Sequence, residues 1–125
     1  MIVGTGIDVA VVQRVTNAIA RFGDHFLRRI FTEKELRYCN ASRNRDQHYA
    51  AHFAAKEATM KALGTGWDHG VQWCDIEVGH DGVGRPTITL QGEAARIAAE
   101  LAVKRIHLSI AHSPQHALAQ VILEA

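Results

Sequence analysis

Two periods of apolar residues run along this chain, and the places where one gives way to the other mark its elements. Residues 2–9 are apolar or β-branched with interspersed glycines, which predicts an opening strand. Val11, Val15, Ile19 and Phe22 then recur at helical spacing and predict a helix over residues 11–22. Thr32-Glu33-Lys34-Glu35 has the capping-box pattern, so a second helix starts there and runs to about Cys39. Residues 40–45 are polar and read as a loop. Asp46 is placed to cap the longest helix, which runs to about Leu63 and stops at Gly64-Thr65-Gly66. That helix is rich in alanine, so it can lie close against a sheet.

In the second half, residues 71–78 and 87–90 read as strands joined by a turn at Asp81-Gly82 and Gly84-Arg85-Pro86. Residues 92–102 form an amphipathic, alanine-rich helix pattern. Residues 106–111 and 117–123 are two more strands around a turn at Ser113-Pro114. The order is β-ααα-ββ-α-ββ. Short turns between strands favour antiparallel pairing, so the expected fold is α+β, with a mostly antiparallel sheet packed on the long helix. The last strand, Ala117 to Leu123, is apolar on nearly all sides. It is therefore either buried on both faces or part of a subunit interface.

Bulk properties narrow the field. With 125 residues, no repeat and no linker, residues 1–125 are expected to form a single domain. A net charge of +1 gives no global pull toward nucleic acid. No apolar run is long enough to span a bilayer, and the opening residues carry no basic leader. Cys39 and Cys74 share no metal-like spacing, which suits reduced thiols in a cytoplasmic protein. Charge is uneven locally: Arg14, Arg21, Arg28 and Arg29 dominate the first thirty residues, opposed by Asp8 and Asp24. Arg14 and Arg21 lie two turns apart on one helix face, which suits either an acidic partner or a solvated surface.

Candidate chemistry gathers on the long helix. Phe53, Glu57 and Lys61 recur every four residues and share a face. Glu57 and Lys61 alone make an ordinary surface pair in the favourable order. With Asp8 they would set two carboxylates and a lysine where a divalent metal and a phosphate chain could meet. Asp8 alone could instead cap the following helix. Lys56 falls on another face, where a structural ion pair is expected. Gly64-Thr65-Gly66 either stops the helix or lets backbone amides approach a phosphate. His48 and His52 are four apart, but the run between them lacks the glutamate of a zinc protease. His107 and Ser109 share a strand face while His112 takes the other, yet no nucleophile elbow accompanies them, which leaves a Ser-His hydrolase poorly supported.

Taken together, these residues resemble the holo-acyl-carrier-protein synthase family, the small bacterial 4′-phosphopantetheinyl transferases. That family opens with Gly-Ile-Asp and an arginine six residues after the aspartate, here Gly6-Ile7-Asp8 and Arg14. Its central pattern is an aromatic, two small residues, Lys-Glu-Ala, then a lysine. Here those are Phe53, Lys56-Glu57-Ala58 and Lys61, followed by Gly64-Thr65-Gly66. Similarity continues in Asp75-Ile76-Glu77-Val78, Gly84-Arg85-Pro86 and His107-Leu108-Ser109-Ile110. The motifs cover almost the whole chain in order.

The resemblance implies a 4′-phosphopantetheinyl transferase-like fold and a Mg²⁺-dependent enzyme of fatty acid biosynthesis. It would move the 4′-phosphopantetheine arm of coenzyme A to a serine of apo acyl carrier protein and release adenosine 3′,5′-bisphosphate. Asp8 and Glu57 match the metal ligands, and Lys61 matches the lysine at the pyrophosphate. Phe53, Gly64, Gly66, Arg85, Pro86 and His107 match positions near the coenzyme A nucleotide. His52 stands where many members carry arginine; a neutral histidine lacks that fork for phosphate but could compensate when protonated. Arg14 and Arg21, with Arg28 close behind, match the carrier-protein docking helix. The resemblance also implies a homotrimer with active sites at subunit interfaces. The other reading of the same residues is a non-catalytic trimeric module that binds coenzyme A or another nucleotide.

Overall fold

The structure, a computed structural model, describes residues 1–66 and 70–125. Its elements run β1 (Ile2–Val11), α1 (Val12–Ile30), α2 (Glu33–Asn40), α3 (Arg45–Leu63), β2 (Ile76–His80), β3 (Pro86–Leu90), α4 (Gly92–Glu100), β4 (Arg105–His112) and β5 (His116–Glu124). This is the α+β order read from the sequence. β1, β5 and β4 form an antiparallel sheet with β5 in the middle, and β2 pairs with β3 in a two-stranded ribbon.

α3 is the axis of the fold, and small residues decide how it sits. Ala54, Ala55, Ala58 and Ala62 are buried on the helix, and Ala117, Ala119, Val121 and Leu123 are buried on β5. On β1 the contact is closer still. A Cβ at Gly6 would fall 1.9 Å from the Ala58 carbonyl oxygen, and one at Gly4 would fall 2.1 Å from that of Ala62. No side chain fits there, so the glycines let the strand backbone rest on the helix. Asp8 continues the same face of β1, one alternation beyond Gly6.

Several boundaries differ from the sequence reading, and four of the differences have a visible cause. α1 does not stop at Phe22; it resumes after Gly23, whose φ of 57° and ψ of −139° break the helix, and continues to Ile30. Beyond the break Leu27 and Ile30 are buried, as Val12, Val15 and Ile19 are before it. α3 is capped by Asn44, not Asp46; the Asp46 carboxylate instead accepts the Thr16 hydroxyl at 2.7 Å and ties α3 to α1. Residues 73–75 form a 3₁₀ turn, and β2 begins only at Ile76. A Gln72–Asp75 capping box closes that turn, and Lys56 Nζ donates to the carbonyls of both Trp73 and Ile76 on either side of it. Asp8 neither ends its strand nor caps α1: β1 runs on to Val11, which holds the cap position without a side-chain bond.

The final strand is buried on one face only. Ala117, Ala119, Val121 and Leu123 are fully buried, whereas Leu118 between them is exposed. Burial on both faces is thus excluded for β5. The outer face of the sheet presents Ile7, Val9 and Leu118 to solvent, with Ile7 and Val9 each 54% exposed.

Candidate active site

Asp8, Glu57 and Lys61 come together across the β1–α3 contact. Lys61 Nζ donates to Asp8 Oδ1 at 3.1 Å and to the Ile7 carbonyl at 2.9 Å. Glu57 lies one turn earlier on α3. Burial first, and then the neighbouring Asp8 carboxylate, push Glu57 up to about 7, with Lys61 only partly opposing them. Two carboxylates share one lysine, so the cluster keeps an excess of negative charge. A divalent cation fits such a donor set, because it offsets both the burial and the carboxylate repulsion that raise Glu57. Among the described residues no three metal-ligating groups converge. A bound ion would therefore depend on Asp8 and Glu57 and complete its shell with non-protein oxygens. A shallow cavity of about 310 Å³, lined by Thr5, Gly6, Ile7, Lys61 and Gln120, opens beside the cluster.

The helix stripe of Phe53, Glu57 and Lys61 holds: all three escape full burial while their neighbours on α3 are buried. Phe53 stacks on Trp73 with ring centroids 5.0 Å apart. Gly64 caps α3 in the left-handed region at φ 75°, and Gly66 follows at φ 56°. Among the described residues, chain neighbours aside, no atom lies within 4 Å of where a Cβ at either would stand, so positive φ is what these positions ask of glycine.

Other expected residues are divided among three places. His52 and Pro86 line one cavity together with Gly84. Arg85 stands at its edge, exposed, with Nε 3.3 Å from Asp81. His107 lies apart from both, on the outer face of the sheet, where Nε2 is 2.9 Å from Glu124 Oε1. Arg14, Arg21 and Arg28 are all exposed on α1. Arg21 lies over the Phe22 ring, and Arg28 pairs with Glu33 at 2.7 Å. Ser109 and Ser113 form no hydrogen bond to the His107 or His112 rings among the described residues; Ser113 Oγ instead accepts the Gln115 and His116 amides.

With that geometry in place, comparison with known proteins decides the family. The model of the 4′-phosphopantetheinyl transferase superfamily matches residues 4–121. The chain belongs to that superfamily. A holo-[acyl-carrier-protein] synthase of Koribacter versatilis is 53% identical over 124 residues, which span 99% of each chain. The crystal structure of the Neisseria meningitidis synthase covers the whole chain at 34% identity with a TM-score of 0.90. That of the Bacillus anthracis synthase, solved in complex with CoA (3′,5′-ADP), is 37% identical with a TM-score of 0.81, and covers 100% of this chain and 98% of that one. The phosphopantetheinyl transferase fold and enzyme class expected from the motifs are therefore correct.

Several residues that shape the site had escaped the sequence reading. Glu35 was legible only as half of a capping box, and that box is present: Thr32 N–H donates to Glu35 Oε1 at 3.1 Å. The same carboxylate also takes Lys56 Nζ at 2.6 Å and faces His52 Nδ1 at 2.9 Å. The structural ion pair expected for Lys56 is thus real, and fully buried. Tyr38, His80 and Trp73 join the site from elements remote in sequence. No local pattern marks them.

Proposed function

We propose that this chain transfers 4′-phosphopantetheine from coenzyme A to a serine of apo acyl carrier protein, releases adenosine 3′,5′-bisphosphate, and serves fatty acid biosynthesis in the cytoplasm as one domain. One observation carries the reading. Asp8, Glu57 and Lys61, brought from two elements, leave a two-carboxylate, one-lysine cluster open to solvent: the side chain of Lys61 is 55% exposed. Phosphoryl transfer asks a protein for placement and charge neutralisation more than for covalent chemistry. Asp8 and Glu57 are the residues that would hold Mg²⁺. Bound there, the ion would neutralise charge that develops on the phosphate oxygens. Lys61, pinned by Asp8 and the Ile7 carbonyl, is directed at the pyrophosphate and stabilises the departing oxygen. A serine Oγ–phosphorus bond forms as the bridging phosphorus–oxygen bond breaks; the serine proton passes to Glu57 or to a water beside it, and adenosine 3′,5′-bisphosphate leaves.

Phe53, Gly64, Gly66, Arg85, Pro86, His52 and His107 are assigned to the coenzyme A nucleotide. Arg14, Arg21 and Arg28 are assigned to the acidic carrier protein; their exposure along α1 supports it. His107 lies on the outer sheet face, where it faces Glu124. A neighbouring copy docked on that face would bring its own nucleotide site to it. The exposed Ile7, Val9 and Leu118 support a homotrimer built through that face.

The test is intact-mass spectrometry of apo acyl carrier protein incubated with this chain, coenzyme A and Mg²⁺. A phosphopantetheine-sized gain that EDTA abolishes is expected. Coenzyme A binding with no gain on any carrier protein tried would leave a non-catalytic binding module.

A further inference from the structure

Lys61 already occupies a carboxylate that a metal ion would need. Its ammonium bridges from α3 to β1, donating to the Ile7 carbonyl at 2.9 Å and to Asp8 Oδ1 at 3.1 Å. Asp8 is also one of the two carboxylates available to a divalent cation. An ammonium and a divalent cation at one carboxylate repel each other, so the two are rivals for Asp8 as long as Lys61 has no other anion to face.

The packing decides which group can yield. The Asp8 side chain is only 12% exposed. Its strand is locked onto α3 at Gly6, where a Cβ would fall 1.9 Å from the Ala58 carbonyl oxygen. Asp8 follows Gly6 on that strand, and Glu57 precedes Ala58 on the helix. Both carboxylates therefore hang from backbone that is held together at its closest point. Lys61 is the reverse case. Its side chain is 55% exposed, on a flexible carbon stem with a freely turning ammonium. The cavity of about 310 Å³ that it lines with Thr5, Gly6, Ile7 and Gln120 gives that ammonium room to turn. The carboxylates stay, and the lysine moves.

We propose that Lys61 competes with a divalent cation for Asp8: in the free chain it holds metal affinity down, and coenzyme A restores that affinity by giving the ammonium a phosphate to face in place of the carboxylate. The competition rests on the function proposed above, which supplies both the cation and the pyrophosphate. Lys61 keeps the Ile7 carbonyl as a pivot and changes only its second acceptor. Metal and coenzyme A then load together, each raising the affinity of the other. Direct contact between phosphate and metal adds to this coupling in any such site, so the share owed to Lys61 is the part that disappears with its charge.

The test is titration of the metal-free chain with Mn²⁺, a hard cation suited to the same oxygen ligands, with the free ion counted by electron paramagnetic resonance. Wild type and Lys61→Met are compared without nucleotide at one ionic strength. Removal of a single charge beside a doubly charged ion, at a half-exposed site, is expected to tighten Mn²⁺ binding about tenfold. Asp8→Asn added to Lys61→Met is expected to erase that gain, which locates it at this carboxylate. With coenzyme A present, the advantage of Lys61→Met is expected to shrink to about twofold or less, because Lys61 has then left Asp8 in the wild type. A Lys61→Met chain that binds Mn²⁺ no better than wild type, or a gain that survives the loss of Asp8, overturns the proposal. A second measurement needs no variant. Acylation of Lys61 by a succinimidyl ester, mapped by peptide mass spectrometry and normalised to the exposed Lys34 and Lys104, is expected to rise in wild type at saturating Mn²⁺. Unchanged labelling there overturns the proposal as well. Metal-dependent phosphopantetheine transfer beside either failure would leave the proposed function standing and remove this competition alone. No Mn²⁺ binding by either protein, with or without coenzyme A, would remove the metal reading with it.

Discussion

Lys56 and Lys61 stand little more than one turn apart on α3, each against a carboxylate, and their surroundings differ. Lys56 and Glu35 are both fully buried. The Lys56 ammonium has three acceptors, one from Glu35 and the carbonyls of Trp73 and Ile76, which uses all three of its protons. Lys61 is more than half exposed and faces two carboxylates that also repel each other. The first arrangement is complete, and the second has charge to spare. Residue type does not separate a structural pair from a reactive cluster here; the match of charges and donors does.

The largest effect expected from this contrast is on stability. Lys56→Met leaves Glu35 buried without its cation, and breaking a buried pair in that way costs about 3–5 kcal/mol. Chemical denaturation measures it. A loss under about 1 kcal/mol would mean that water or a shifted His52 replaces the lysine, and the contrast would weaken.

At the other site the effect moves from stability to turnover. Asp8→Asn and Glu57→Gln are each expected to lower kcat/KM for carrier-protein modification by about 10²–10³-fold, the scale of one lost electrostatic contact to a transition state. Stability is expected to hold or rise, because each change removes one of two repelling charges. Thermal unfolding beside kinetics separates the outcomes. A variant that loses stability and keeps its rate would place this cluster with Lys56 and Glu35.

Smaller changes test what holds the two regions in place. Gly6→Ala puts a methyl group into the Ala58 carbonyl and must lift β1 from α3, for a cost of about 1–3 kcal/mol in unfolding free energy. Kinetics should suffer with it, since Asp8 rides on the same strand. Arg14→Glu reverses charge on exposed α1 and touches neither region. It is expected to raise KM for carrier protein about tenfold with coenzyme A binding unchanged. Equal losses for both substrates would contradict a docking role.

How much of this was legible beforehand follows the same division. Gly6-Ile7-Asp8 and the Phe53, Glu57, Lys61 stripe are local patterns, and local patterns were enough to mark most strands, α3 and the residues that meet at Asp8. The different facing of Lys56 was also visible from helical phase. Its partner was not, because Glu35 lies in another helix and already had a local explanation in its capping box. The cavity that four histidines line was hidden for the same reason. His48 and His52 are readable as a pair, but His80 and His112 reach them only through the ribbon and the sheet edge. The stretch before β2 curls instead of extending because the Gln72–Asp75 capping box closes a turn there and the Lys56 ammonium, remote in sequence, takes the Trp73 carbonyl.

The smallest effect is the one that links the reactive cluster to pH. Glu57 sits at about 7 in the folded chain against 4.5 for the free side chain, so between those values the folded state holds a proton that the unfolded state has released. Its contribution to stability is therefore full below about 4.5 and declines as pH rises through about 7. After discount for solvent screening the change is on the order of 1 kcal/mol. Histidines 48 and 80, held low, contribute with the opposite sign, so the Glu57 share is read as the difference between the wild type and Glu57→Gln. Under the proposed function Mg²⁺ is expected to reverse the trend, because it would take the deprotonated pair. The rise in melting temperature caused by Mg²⁺ should be larger at about pH 8 than at about pH 6 in the wild type, and absent at both in Glu57→Gln. A Mg²⁺ shift independent of pH would mean that the ion does not compete with the Glu57 proton, and the excess charge at this cluster would need another purpose.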